Sequence, residues 1–309
     1  MFLRKFIQVL LTSLVLVYPL QAQMKTVDFT PYKGADKNLG IKILDVKEVT
    51  FEPLEGIEFT EVSALAYDEK RGLFALSDRG YLYTLELKLE AKKIKELKLL
   101  NAKRLLSKNA KPLEGKKRDS EGMDILEEGL LISFERLPKV SLFDFNGLRI
   151  KNYELPAPLD NIKNYQSKNK ALEAVLYHDE FGFITVAEAP LKHHDKNLHT
   201  LYSHSQRWQL SVSENVTAIE LLNDGNILVL ERGFSLTRGH HILLKKVFIK
   251  QCEKRVCKSE ILASFKSEDG WNLDNFEGLT HIKDNLYLMV SDDNANFFQK
   301  CLFVLFEVL

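Results

Sequence analysis

Five segments of this chain open on the same short pattern and end on a carboxylate a fixed distance later. They run from Ser63-Ala64-Leu65 to Asp78, Glu121-Gly122-Met123 to Glu135, Glu173-Ala174-Val175 to Glu188, Thr217-Ala218-Ile219 to Glu231 and Glu277-Gly278-Leu279 to Asp292. From first residue to carboxylate the offsets are 15, 14, 15, 14 and 15. Such self-similarity is the mark of a repeat architecture and is weighed before any single motif.

Each segment reads as a β-hairpin. Its turn falls at Asp68–Gly72, Glu127–Gly129, Asp179–Gly182, Asn223–Asn226 or Asp284-Asn285, residue types that tolerate the dihedrals of tight turns. The apolar runs that follow (Leu73–Leu76, Leu130–Phe134, Phe183–Val186, Ile227–Leu230, Leu286–Val290) suit strands buried on both faces. An alternating third segment and a fourth apolar one come next, as in Tyr81–Leu87 and Ile94–Leu97. Four strands per unit, with units starting 58, 52, 44 and 60 residues apart, predict an all-β chain folded as a β-propeller.

The fifth unit reaches Leu309 without an outer strand, and Ile41–Val49 has no partner of its own. We expect five four-stranded blades closed by this N-terminal strand, which hides two sheet edges. A sixth, degenerate blade inside a long connection is one alternative. A β-sandwich is the other, and it leaves the fixed offsets unexplained.

In a hairpin the start of the first strand and the end of the second share one end. The openers Glu121, Glu173 and Glu277 and the closers Asp78, Glu135, Glu188, Glu231 and Asp292 should therefore meet at one mouth of the central channel, with Asp119, Asp293 and Asn294 beside them. So many carboxylates repel one another unless something offsets the charge. A hard divalent cation, Ca²⁺ foremost, takes six to eight oxygen ligands. Arginine is the other offset, and it recurs in step at Arg79, Arg118, Arg136 and Arg232, with a fork that grips carboxylate or phosphate.

Metal, arginine and carboxylate together are suited to phosphate esters. The expected metal ligands are Asp119, Glu121, Glu173, Glu277, Asp292 and Asp293. Glu121, Glu173 and Glu277 are the catalytic candidates, and Arg79, Arg118, Arg136 and Arg232 the phosphate holders. A ring of Arg–carboxylate staples between blades, with no ligand, stands as the equal alternative.

At these residues the chain resembles the exported phytase-like family, labelled "esterase-like activity of phytase". The motifs follow the family's order: Ser77-Asp78-Arg79-Gly80, Lys111-Pro112-Leu113 into Arg118-Asp119-Ser120-Glu121-Gly122, then Glu135-Arg136. Leu155-Pro156, Asn169-Lys170-Ala171-Leu172-Glu173-Ala174 and Glu231-Arg232-Gly233-Phe234 come next. Asn275-Phe276-Glu277-Gly278-Leu279, Ser291-Asp292-Asp293-Asn294 and Gln299 complete the set. Ala171 and Ala174 stand where glycine is common, and Cys301 where threonine is expected. The resemblance implies a propeller-like fold and a phosphoric-ester hydrolase acting on a small phosphorylated substrate. A non-catalytic envelope propeller that binds a ligand or partner protein is the contrasting reading.

Export is expected from the N-terminus. Arg4 and Lys5 precede an apolar stretch, Phe6–Leu20, and Ala22 offers a small residue for cleavage. Residues 1–22 are read as a signal peptide and 23–309 as one propeller domain, periplasmic or secreted, with no stable membrane insertion after the signal is removed. Without Arg4 and Lys5 the 43 basic residues become 41 against 43 acidic ones. That balance gives no footing for nucleic-acid binding.

Cys252 and Cys257 flank a hairpin tip, where a disulfide suits an oxidising compartment. A metal site of these two thiols lacks a second ligand pair. Cys301 reads as a buried free thiol. The basic stretch Asn101–Lys117 reads as a loop over one face, and His193, His194, His199 and His204 as solvated loop residues. No G-x-S-x-G elbow and no phosphate-cradling glycine loop occurs.

Overall fold

A computed structural model describes residues 19–37, 39–296 and 298–309. Its strands form five blades. Blade 1 is built from β4 (Val62–Asp68), β5 (Gly72–Ser77), β6 (Tyr81–Glu90) and β7 (Lys93–Arg104), and blade 2 from β8 (Ser120–Leu126), β9 (Gly129–Phe134), β10 (Lys139–Phe143) and β11 (Arg149–Tyr153). Blade 3 holds β12 (Leu172–His178), β13 (Gly182–Ala187), β14 (Leu198–Tyr202) and β15 (Arg207–Ser211). Blade 4 holds β16 (Asn215–Leu221), β17 (Ile227–Ser235), β18 (Gly239–Glu253) and β19 (Val256–Lys266). Blades 3 and 4 touch at their outer edges through one parallel pairing, Gln209 with Val256.

Blade 5 closes the ring. Its strands β20 (Asn275–Lys283), β21 (Leu286–Asp292) and β22 (Leu302–Val308) take β3 (Ile41–Thr50) as their fourth, antiparallel to β22 from Leu302↔Glu48 to Val308↔Ile41. The expected closure by Ile41–Val49 is thus present, and both chain ends lie in one sheet.

The doubly apolar runs have a plain cause: each second strand faces two neighbouring blades. Along β5, Leu73 and Ala75 pack into the seam with blade 5, while Phe74 and Leu76 pack into the seam with blade 2. Five apolar clusters fill the five seams. Removing these side chains from water, at about 25 cal/mol per Å² of apolar surface, is what holds the ring together.

The constant opening pattern also acquires a cause. In every blade the first strand shifts register at that point, between Val62/Ala64, Ser120/Met123, Leu172/Ala174, Val216/Ala218 and Phe276/Gly278. Ser63, Glu121, Glu173, Thr217 and Glu277 are the extra residues of five β-bulges, a device that re-aims a side chain. The small residue after each bulge is where inner strands crowd. A Cβ on Gly122 would come within 2.6 Å of Ala174 Cα, and one on Gly278 within 2.6 Å of Val290 Cγ1.

Two sequence expectations need revision. Asn101–Lys117 is not wholly a loop: Asn101–Arg104 complete β7, and Gly115–Lys117 form a 3₁₀ turn. The histidine segment is not all solvated loop either. His199 lies in β14, buried, with Nε2 3.2 Å from Glu188 O, and burial pushes its imidazole down to about 4. The proposed cleavage point falls beside structured residues: β1 (Leu20–Gln21) pairs with Lys98 and Leu99, and β2 (Gln23–Thr26) pairs with β3. Residues 1–18 of the expected export signal lie outside the described residues.

Cys252 and Cys257 are joined by a disulfide, and Cys301 is free and buried. Among the described residues no helix is long and apolar enough to cross a membrane.

Candidate functional site

The channel axis is narrow. Ser63, Glu121, Ala174, Thr217 and Glu277, one from each inner strand, line a cavity of about 10 Å³, room for one water at most. The two bulge residues that are not acids tie their blade to the next. Ser63 Oγ donates to Ser120 O at 2.8 Å and Thr217 Oγ1 donates to Phe276 O at 3.1 Å.

Acids separated by 44 to 60 residues per repeat meet at one mouth. Asp119, Glu121 and Glu135 bring carboxylate oxygens within 4.8 Å of one another, and so do Glu135, Glu173 and Glu188. Glu135 belongs to both triplets. Burial first, then the charges of Glu173, Glu277, Glu135 and Asp119, holds the Glu121 carboxyl well above its ordinary range. Glu173 is raised likewise by burial, then by Glu188, Glu277 and Glu135. Glu135 is pushed up to about 8 by burial and then by Asp119 and Glu188.

Across the mouth, burial followed by Glu61, Glu277 and Asp119 raises Asp78 to about 7, and its Oδ1 is buried without a partner. Asp292 rises to about 8 through burial and Glu277. Each of these shifts is a penalty first for burying a carboxylate and then for keeping anions together.

Arginine offsets part of that penalty, unevenly. Arg79 pairs with Glu61, Arg136 Nε lies 3.1 Å from Asp119 Oδ2, and Arg232 Nη2 lies 3.3 Å from Glu277 Oε1. Arg232 also donates to Asn275 Oδ1, and its Nε is buried without a partner. Arg118 forms no ion pair among the described residues, although its charge favours ionised Asp119.

Other acids are consumed by the scaffold. Glu231 is fully buried and receives Lys245 Nζ at 2.7 Å plus the backbone N–H groups of Ser213 and Glu214. Glu188 is only half taken: Lys170 at 3.3 Å and Asn215 Nδ2 at 2.6 Å both reach Oε1, and Oε2 has no protein partner among the described residues. Asp293 Oδ1 accepts from Thr60 Oγ1 and from the N–H groups of Glu61 and Ala295, fixing blade 5 to blade 1. Asp292 accepts from Asn275 Nδ2 and Asn294 N.

The carboxylates of Glu121 and Glu173 are different. Among the described residues neither receives a protein hydrogen bond or ion pair, although the charge of Arg232 favours ionised Glu173. Of the six residues expected to ligate metal, then, Asp119 and Glu121 share one triplet and Glu173 sits in the other, while Glu277 and Asp292 share the Asn275 amide and Asp293 is held by Thr60 and Glu61.

Sequence reasoning missed the linking role of Glu135 and the presence of Glu61. Glu61 stands two residues before its bulge, as Asp119 does, and each accepts the N–H of its blade's closing acid: Asp78 N to Glu61 O at 3.1 Å, Glu135 N to Asp119 O at 3.0 Å. That equivalence was available in the repeat spacing.

The model of the phytase-like family, described as esterase-like activity of phytase, matches residues 57–295. The chain belongs to this family. In sequence, no curated protein matches it. The phytase-like chain is also similar in shape to several solved structures. A Bacteroides caccae protein of unknown function is 9% identical, with 88% of this chain and 82% of that one covered at a TM-score of 0.40. The β-propeller domain of Myceliophteria thermophila Cps50 is 8% identical, covering 94% and 100% at 0.42. A luciferin-regenerating enzyme is 10% identical, covering 80% and 91% at 0.41.

Within the phytase-like fold, an oxygen-only donor set with unpaired carboxylates at Glu121 and Glu173 has the chemistry of a hard-cation site. The buried acids gathered in the two triplets could hold such an ion.

Proposed function

We propose that this phytase-like protein is exported and hydrolyses small phosphoric esters at the carboxylate mouth, with a divalent cation, Ca²⁺ by its donor chemistry. The observation that carries the reading is the pair of acids, Glu121 and Glu173, whose carboxylates the protein leaves without a donor although burial and then neighbouring acids raise them. Asp119, Glu121 and Glu135 would hold the cation on one side, and Glu173 and Glu188 on the other. When bound, such an ion offsets the repulsion of the acids, polarises a phosphoryl oxygen and acidifies water.

The chain's own groups do the rest. Arg79 and Arg136 each give Nε to a carboxylate, which leaves their terminal N–H groups for the ester's phosphate oxygens. Arg232 Nε is buried without a partner, and its charge serves Glu277 and Glu173. Glu277, oriented by Arg232 and Asn275 Nδ2 at 2.9 Å, takes the proton of the attacking water at its carboxylate. The Cys252–Cys257 disulfide fits an oxidising compartment outside the cytoplasm.

A ligand-binding propeller without turnover is the second reading, favoured by Glu231 and Asp293, whose carboxylates are taken up by scaffold donors. Assays of the purified protein on phosphomonoesters and phosphodiesters, with Ca²⁺ and with chelator, separate the two. Chelator-sensitive turnover that Glu277→Gln abolishes supports hydrolysis. No turnover on any ester, together with no metal uptake, rejects it.

A further inference from the structure

A second constellation lies on blade 4, apart from the carboxylate triplets. Glu214, in the link between β15 and β16, sets Oε1 2.9 Å from His241 Nδ1, and His241 Nε2 is 3.1 Å from Ser264 Oγ. The two strands that carry the pair fix this geometry. In β18 and β19, His241 stands opposite Lys266 and Leu243 opposite Ser264, so alternation puts His241, Ser264 and Lys266 on one face.

Gly233 admits the third member: a Cβ there would come within 2.0 Å of the Glu214 carboxylate. Any larger residue would push that carboxylate away from the imidazole. Ser264 is exposed on the outer strand. Beside His241 opens a cavity of about 270 Å³ whose wall includes Phe234, Arg238 and Lys266. Neither Arg238 nor Lys266 has an ion-pair partner among the described residues.

We propose that Ser264, His241 and Glu214 form a nucleophile–base–orienter triad that hydrolyses small carboxylic esters held at the rim of this cavity, which Glu214, His241 and Lys266 line and which Ser264 borders through His241. The atoms connect in the order such chemistry requires, carboxylate to Nδ1 and Nε2 to hydroxyl, and a triad is recognised by that geometry rather than by a sequence motif. Ser264 Oγ bonds to the ester carbonyl carbon as its proton passes to His241 Nε2. Glu214 holds Nδ1–H and stabilises the imidazolium. Lys266, two residues along the same face, supplies positive charge near the developing oxyanion.

The carbon–alkoxide bond then breaks and His241 returns the proton to the departing alcohol. Water, deprotonated by the same imidazole, releases the carboxylic acid and restores Ser264. No metal and no other co-reactant enters the balance.

The test uses the full chain with a fluorophosphonate probe and, separately, p-nitrophenyl acetate. One adduct mapping to Ser264, with ester turnover that falls about 10³-fold in both Ser264→Ala and His241→Ala, supports the triad. Because Ser264 is exposed, its alanine variant keeps the fold, which a thermal melt verifies. Turnover must survive chelator, since the triad does not depend on a cation at the carboxylate mouth. An adduct at another residue, no adduct, or ester turnover unchanged in Ser264→Ala overturns the proposal.

Discussion

The two ends of the channel both gather carboxylates and treat them in opposite ways. At the far mouth, Asp124 Oδ2 accepts Tyr177 N at 2.6 Å and Oδ1 accepts Ile125 N at 2.7 Å. Glu220 repeats the arrangement, with His281 N at 3.0 Å and Leu221 N at 2.7 Å. Each carboxylate takes one N–H from its own blade and one from the next, and so acts as a joint between blades 2 and 3 or 4 and 5. At the near mouth Glu121 and Glu173 receive no such donor. A buried anion whose oxygens are satisfied belongs to the scaffold, whereas one left unsatisfied costs stability until something binds it.

The largest effect that separates the two ends should be on chemistry. Glu121→Gln or Glu173→Gln is expected to lower phosphoric-ester turnover by at least about 10²-fold, with a thermal midpoint that holds or rises because a repelled charge is gone. Asp124→Ala should leave that turnover intact. A loss of activity in Asp124→Ala without unfolding would erase the distinction.

Next in size is stability. Asp124→Ala strands the N–H groups of Tyr177 and Ile125, a loss of about 1–3 kcal/mol that urea unfolding of the variant measures. The near-mouth variants should show none of this loss.

The contrast also explains which parts of the molecule were legible in the sequence. Leu73–Leu76 and its counterparts announced strands because both faces are buried, and Ile41–Val49 announced the closure because it lacked a partner. Convergence of the acids followed from hairpin geometry alone. Which acids are already taken did not follow. Asp293 and Asp292 are neighbours of the same type, yet Thr60 and the Glu61 N–H, contributed by the adjoining blade, bind Asp293. Lys245 takes Glu231 in the same hidden way, from a third strand. Such pairing depends on side chains from another strand or another blade, and a repeat pattern carries no record of it.

The smallest expected effect is in the pH dependence of the far mouth. Burial first, then Asp124, pushes Glu220 up to about 8, and burial pushes Asp124 up to about 6. A carboxyl raised on folding stabilises the native state most fully below its unfolded value, near 4.5 for Glu220, and that contribution drains away as pH rises through about 8. The slope is at most about 1.4 kcal/mol per pH unit for one proton. Urea midpoints between pH 5 and pH 9 should fall along this course in the wild type and flatten in Glu220→Gln.

Calorimetric titration of Ca²⁺ into the wild type, Glu173→Gln and Asp124→Asn tests the division between the two mouths most directly. The account predicts binding that Glu173→Gln abolishes and Asp124→Asn leaves unchanged. Binding that survives Glu173→Gln, or that disappears with Asp124→Asn in a folded protein, would contradict it.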